Sequence, residues 1–386
     1  MSDLAQSRPF DGLRVVAIEQ AVSVPFCTRQ FSDLGADVIK IERPDGGDFS
    51  RGYDADLRGM SSHFARLNRG KRSVALDLKQ PRDRDALAKL LERADVFAHN
   101  LSPGAVERLG FGYEDLREKH PSLIWCGISG YGPDGPYRDK KAYDLLVQAE
   151  SGVVSLTGNA DAAAKVGVSI ADLAAGFYAY SSIMAALFHR ERTGKGDRID
   201  VSMLECLTEW ATPALYMWLG AGRVPARVGI RHNSIVPYGA YACGDGSVNF
   251  AIQNQREWRR LCETVLGDAS LADDPRFATN AERLKNRDVL EPLVERIFAP
   301  HRVEEIVARL EAADIANAVV NDIPAVAAHP QLAARGRWVQ VDSPNGPLPA
   351  LLPPHNLAGV APRMGRVPGL GEHTREILRE LGIEEN

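Results

Sequence analysis

The chain has 386 residues, of which 45% are hydrophobic and 25% charged, and its formal net charge is -5. That is the composition of a soluble globular protein long enough for two domains, and the acidic balance excludes a nucleic-acid binder that relies on bulk electrostatics. Its five cysteines (Cys27, Cys126, Cys206, Cys243, Cys262) are dispersed and make no C-x-x-C pair, so reduced thiols are expected rather than disulfides or a metal site.

The opening segment, MSDLAQSRPFDG, is polar and has no apolar signal core, which predicts a cytoplasmic protein. From there to about residue 200 the chain alternates strand and helix patterns. LRVVAI, DVIKIE, SVALDL, DVFAHN, LIWCGIS and DRIDVS read as strands, several with the near-continuous apolar pattern of strands covered on both faces. Between them Phe26–Leu34, Pro81–Arg93, Gly104–Leu109 and Tyr113–Lys119 read as helices, so the fold class is α/β with a parallel sheet. Leu173–Phe188 is uncharged but only 16 residues long, short of a membrane span, and is expected to be a buried core helix. After about residue 220 the texture changes: VPYGAYACGDGSVNFAI predicts a hairpin turning at Gly-Asp-Gly, followed by helices at Glu257–Leu266, Asp288–Phe298 and Val303–Ala312. That pattern predicts a smaller α+β domain. A Pro- and Gly-rich tract, Ser343–Gly371, leads to a terminal helix in HTREILRELG.

GYGPDG at Gly130–Gly135 matches the letters of a dinucleotide fingerprint, but Pro133 and Pro136 fall where a helix should open onto the pyrophosphate. There is no P-loop either, so neither NAD nor ATP is indicated. Positive and amide side chains do collect at predicted strand ends: Arg43, Lys79 and Asn100, with Arg108 on the short helix that follows. Ligands of parallel α/β sheets settle outside the carboxyl ends of the strands, and such a set suits a phosphate-rich ligand. Asp172 heads the uncharged helix, where an acid serves either as a helix cap or as a carboxylate nucleophile in a site poor in water.

Several segments in one order resemble the class III coenzyme A transferases, the family of formyl-CoA transferase and carnitine CoA-transferase. They are LGADVIKIERPDGGD, NRGKRSVALDLK, ADVFAHNLSPGAVERLGFGYEDL, ISGYGPDGPYRDKKAYDLLVQAESG, ADLAAGFYAYSSIMAALFHRERTGKGDRIDVSM and LGEHTREIL, and the likeness runs from about Leu13 to Leu381. It implies a Rossmann-like large domain from 1–200, a linker helix at 201–225, a small α+β domain at 226–325, and a segment, 326–386, that returns to the large domain. Two chains would interlock as rings in a homodimer. The resemblance makes Asp172 the nucleophile that attacks an acyl-CoA thioester and then carries CoA as an aspartyl thioester. It places Arg43, Leu76, Lys79, Asn100 and Arg108 on the adenine and phosphates of coenzyme A, Lys141 and Tyr143 at the pantetheine end, and Ala21 and Val22 beside the thioester. Amides near Ala21 and at the start of the Asp172 helix would hold the oxyanion. Coenzyme A would enter as substrate, with no other cofactor.

The sequence departs from formyl-CoA transferase at RVGIRHNSIVPYGAY, where that enzyme has a glycine run, and at Val22, where it has Gln. Both point away from formyl and oxalyl groups. Arg231, His232 and Asn233 on that loop are candidates for the distal carboxylate of a dicarboxylic acid, with succinyl-CoA as donor. Two alternatives share the fold: an α-methylacyl-CoA racemase, disfavoured because Tyr143 replaces its His base, and a non-catalytic acyl-CoA-binding protein.

Overall fold

The computed structural model describes residues 7–383. The chain forms two compact units. The larger takes the chain up to Val153, Val166–Pro213 and everything from Gln331 on; the smaller takes Val154–Lys165 and Ala214–Pro330.

The larger unit is built on six parallel strands: β1 (Arg14–Ile18), β2 (Asp37–Glu42), β3 (Arg72–Ala75), β4 (Val96–His99), β5 (Ile124–Ser129) and β6 (Arg198–Ser202). Their order is β3-β2-β1-β4-β5-β6, so the winding reverses between β1 and β4. At that reversal the carboxyl ends of two neighbouring strands diverge into a crevice, the standard ligand position of such sheets. The apolar runs are continuous because both faces are covered. Val15, Ala17, Val38, Val96, Ala98, Ile124 and Cys126 face one core. The alternate residues Val16, Ile18, Ile39, Ile41, Phe97 and Trp125 face the other, as the period of two demands.

The first face is covered by α1 (Ser23–Asp33) and by the long helix α5 (Ile170–Thr193), with the short α2 (Ser62–Asn68) beside α1; α3 (Pro81–Leu91) covers the second. A short α4 (Asp144–Glu150) packs on α5. The C-terminal helix Thr374–Glu380 returns to β3 and places Ile377 and Leu381 in the second core. Arg72 of β3 pairs there with Glu376 and Glu380.

Helix α5 is longer than the uncharged stretch predicted, 24 residues, and passes a length-and-composition test for a membrane span. It is not buried all round, as a core helix would be. Ala171, Ala174, Ala175, Ala179, Ile183 and Leu187 lie in the core, whereas Phe177, Met184 and Phe188, on the opposite face, are exposed. The sheet can cover only one side of a helix, and among the described residues nothing else covers Phe177, Met184 and Phe188.

In the smaller unit β7 (Tyr238–Cys243) and β8 (Gly246–Ala251) form the predicted hairpin, and β9 (Asn317–Val319) adds to it antiparallel. Helices Arg287–Phe298 and Val303–Ala312 pack on this sheet over a core that includes Trp258, Tyr241, Phe250, Phe277 and Phe298. Residues 154–165 belong to this unit: Arg227 donates to the carbonyls of Asn159 and Ala160.

Beneath the carboxyl ends of β1 and β2 lies a buried charge network. Lys40 Nζ is 2.8 Å from Asp48 and 3.4 Å from Glu19, and Lys71 Nζ is 2.6 Å from Glu19, with all four side chains out of contact with water. Each charge is held by its partners, so removing one leaves the others uncompensated. Lys40→Met should therefore cost about 3–5 kcal/mol, read from urea unfolding; a loss below about 1 kcal/mol would show that the network relaxes around the gap.

Candidate active site

The β1–α1 turn, Glu19–Val22, occupies the crevice at the reversal of strand order. Its conformation is imposed from two sides. Ala21 takes a left-handed φ of 59°, a position that costs a non-glycine residue about 1 kcal/mol or more. Its amide is held there by Asp48 Oδ1 at 3.0 Å, while Asp48 Oδ2 accepts from Lys40. From the other strand, Asn100 Oδ1 accepts the Gln20 amide and Asn100 Nδ2 donates to the Gln20 carbonyl and to Ser23 Oγ. The amide of Asn100 is thus spent on the turn rather than open to a ligand.

Ser23 is the first residue of α1, and its hydroxyl lies close enough to the carboxylate of Asp172 to favour its ionised form. That contact exists because α1 and α5 cross closely at Gly176, one turn beyond Asp172. A Cβ on Gly176 would lie 2.4 Å from the Ser23 carbonyl oxygen and 3.0 Å from the Phe26 ring. Only glycine permits the approach.

Asp172 is the third residue of α5 and does not cap it; the N-cap is Ser169, which makes no side-chain cap bond. The capping is done from another helix. Asp144, first in α4, accepts the amides of Ala171 at 2.8 Å and Asp172 at 3.4 Å through Oδ1, and Gln148 Nε2 through Oδ2. The Asp172 carboxylate is thereby released from the local role that an N-terminal acid would ordinarily fill. Burial, followed by the nearby charge of Asp144, pushes its pKa up to about 7, against the nearby Ser23 hydroxyl and the charge of Arg66. The helix-start amides expected to face an oxyanion are occupied by Asp144, and that of Ala21 by Asp48. The amides of Ser23 and Val24 at the start of α1 differ: the first N–H groups of a helix have no intrahelical acceptor, α1 has no side-chain cap, Pro25 carries no N–H, and the first bonded amide is that of Phe26, to the Val22 carbonyl.

The other sequence-predicted residues distribute along the same carboxyl edge. Val22 is buried as the N-cap of α1. Arg43 follows β2 and is exposed, 3.8 Å from Asp45; Leu76 is buried just past β3, and Lys79 is exposed in the turn that follows. Arg108 folds back over Gly104, where a Cβ would lie 2.8 Å from its Nη1 and where φ is 71°. Lys141 is exposed, and Tyr143, the N-cap of α4, is 68% exposed. Tyr143 nevertheless lies near Tyr53, whose phenol also senses Asp172.

The loop residues of the smaller unit are arranged otherwise than a carboxylate site requires. Arg231 bonds Glu291 and Glu295, donates to the Ala240 carbonyl and lies over the Tyr241 ring, so its guanidinium is committed within that unit. His232 stacks on Tyr238, and its Nδ1 accepts the Ser234 amide. Asn233 Oδ1 accepts from Ser234 Oγ. Sequence reasoning missed Ser23, Asp48, Tyr53, His63 and Arg66. The one available signal was the basic run Arg66–Arg72, which draws attention to α2 without saying which of its cations is unpaired.

Residues 10–374 match the model of CoA-transferase family III. The succinate–glutarate CoA-transferase of Agrobacterium fabrum is 34% identical, covering 99% of this chain and 98% of that protein. The succinyl-CoA:glutarate CoA-transferase of Mus musculus is 33% identical over 98% of this chain and 88% of that one. A crystal structure of a CaiB/BaiF family protein from Brucella suis superposes with a TM-score of 0.85 at 34% identity, covering 97% of this chain and all of its own. The chain belongs to CoA-transferase family III, and its reaction class is therefore CoA transfer between an acyl-CoA and an acid.

Two measurements bear on the site. Gly176→Ala should part α1 from α5, cost about 1–3 kcal/mol and draw Ser23 away from Asp172; unchanged stability and activity would show that the crossing has slack. Ionising Asp172 costs stability, because its folded pKa lies above the unfolded value of about 3.9; that cost appears as pH rises from about 4 and is complete above about 7. Asp172→Asn should accordingly gain stability on the wild type between pH 4 and pH 8. A constant difference across that range, read by thermal unfolding, would contradict the raised pKa.

Proposed function

We propose that Asp172 is the nucleophile of CoA transfer between succinyl-CoA and a C4 or C5 dicarboxylate. The observation that carries this reading is the half-buried carboxyl of Asp172 at the crevice, freed from capping because Asp144 caps its helix instead. The choice of dicarboxylates rests on relatives named for succinate, glutarate and, at 33% identity, mesaconate.

The Asp172 carboxylate attacks the thioester carbonyl and expels CoA thiolate, giving a mixed anhydride. The thiolate then attacks the Asp172 carbonyl carbon and releases the donor's carboxylate, leaving an aspartyl-CoA thioester. The acceptor carboxylate attacks that carbon and expels the thiolate, which finally attacks the acceptor's acyl carbon and frees Asp172. One thioester is exchanged for another, so no nucleotide is consumed. Each tetrahedral oxyanion is met by the open amides at the start of α1, the positive end of that helix dipole. Ser23, bonded by Asn100, holds the carboxylate in line for attack.

Coenzyme A runs along the carboxyl edge in this proposal, with Arg43, Leu76, Lys79 and Arg108 at its nucleotide end, Lys141 and Tyr143 along the pantetheine, and Ala21 and Val22 beside the thioester. Asn100 acts through the turn. An interlocked homodimer is supported by the apolar face of α5 that the described residues leave uncovered, Phe177, Met184 and Phe188. A cytoplasmic setting agrees with five unpaired cysteines.

Incubation with succinyl-CoA should add the mass of CoA to the peptide bearing Asp172, removable by hydroxylamine and absent in Asp172→Asn. Near-wild-type exchange by Asp172→Asn would sink the mechanism. The pH profile gives an independent check. Only the carboxylate attacks, so kcat/KM for acyl-CoA should fall about tenfold per pH unit below about 7. Asp144→Asn removes the neighbouring charge while keeping an oxygen for the two amides, so this acid limb should move to lower pH; a limb that stays in place would leave burial as the whole cause.

A further inference from the structure

The cations around the β1–α1 turn are almost all spoken for. Arg29, Lys40, Arg51, Arg69 and Lys71 each have a carboxylate within 4 Å. Arg66, in α2, has no such ion pair among the described residues, although Asp172 is the carboxylate whose charge acts on it. It therefore lies near the nucleophile but beyond ion-pair distance of it. His63 precedes Arg66 by three positions and so shares its helix face. Its Nδ1 is buried and has no hydrogen-bond partner among the described residues. The His63 ring meets Tyr53 edge-on, with centroids 5.5 Å apart, and Tyr53 is the phenol that senses Asp172.

These observations define a polar wall made of an exposed Arg66 guanidinium, without a carboxylate partner among the described residues, and a buried His63 nitrogen left without an acceptor or donor there. A buried nitrogen without a partner costs stability, and a guanidinium with five donors is shaped to take a carboxylate by two of them. We propose that the α2 face carrying His63 and Arg66 binds the second, non-reacting carboxylate of a dicarboxylic acid whose first carboxylate lies at Asp172. The gap between Arg66 and Asp172 is what the acid's carbon chain spans. The role earlier expected of Arg231 moves to Arg66, because Arg231 is neutralised by Glu291 and Glu295. This inference rests on the reading of Asp172 as the CoA carrier.

The test loads the full-length protein with CoA at Asp172 and follows discharge of that adduct by glutarate and by pentanoate, which has the same chain length but one carboxylate. The wild type should favour glutarate, and Arg66→Gln should shrink that preference by roughly 10- to 100-fold, the worth of one charge-assisted contact. Arg66→Lys, which keeps the charge but not the fork, should retain an intermediate preference. His63→Phe, which keeps a ring against Tyr53, should lower it less than Arg66→Gln. Loading with CoA and the thermal midpoint report on folding of each variant. A wild type that discharges both acids equally, or an Arg66→Gln variant with the wild-type preference, overturns the inference while leaving the Asp172 chemistry intact. Failure of the wild type to form the adduct at all overturns both.

Discussion

The site depends on one close approach, the Gly176 backbone lying against the Ser23 carbonyl. It sets how near α1 and α5 come, and thereby joins two elements that are far apart in sequence: the start of the helix after β1 and the first turn of the helix that bears Asp172. On one side of that crossing Ser23 is fixed by Asn100 and the turn by Asp48; on the other, Asp144 secures the end of α5. Glycine in a helix interior is unfavourable by about 1 kcal/mol, and the strain at Ala21 adds to it. Both costs fall on the geometry around a single carboxylate.

Charge is used in two ways in the larger unit. Under β1 and β2 it is buried and closed, every Lys and Arg meeting a carboxylate, and the effect is rigidity: Asp48 can hold Ala21 because Lys40 holds Asp48. At the crevice the pairing is left open. Asp144 and Asp172 approach as like charges, and Arg66 stands without an ion pair among the described residues. A low-dielectric surrounding magnifies the first arrangement and makes it a scaffold, whereas Arg66 in the second is open to water.

The sheet was legible because its strands are covered on both faces and so read as unbroken apolar runs; each of the six falls where its run lies. The hairpin of the smaller unit was legible through its Gly-Asp-Gly turn. What escaped was anything settled by partners distant in sequence. Asp172 has the spacing of a helix cap, and nothing local reveals that Asp144, 28 positions earlier, has taken that task. Arg231 and Arg66 are both arginines on polar segments, and only the fold shows one held by two glutamates and the other without an ion pair among the described residues. Asn100 looked like a ligand contact because it ends a strand, whereas its amide is consumed by the adjoining turn. The exposed face of α5 was invisible for the same reason, since an apolar helix pattern does not say how many of its sides the chain can cover.

The larger unit is discontinuous, and this bears on its synthesis. Its second core closes over β3 only when Ile377 and Leu381 arrive, some three hundred residues after the strand they cover. While the ribosome is still translating, the strands near the amino end must wait with one face incompletely covered. The smaller unit, drawn almost entirely from one stretch, needs no such delay. Contacts this far apart in sequence slow folding and prolong the exposure of apolar surface. The last dozen described residues are therefore the step at which a nascent chain becomes a finished sheet, and a stop codon just upstream of them would release a molecule with Asp172 intact and its scaffold open.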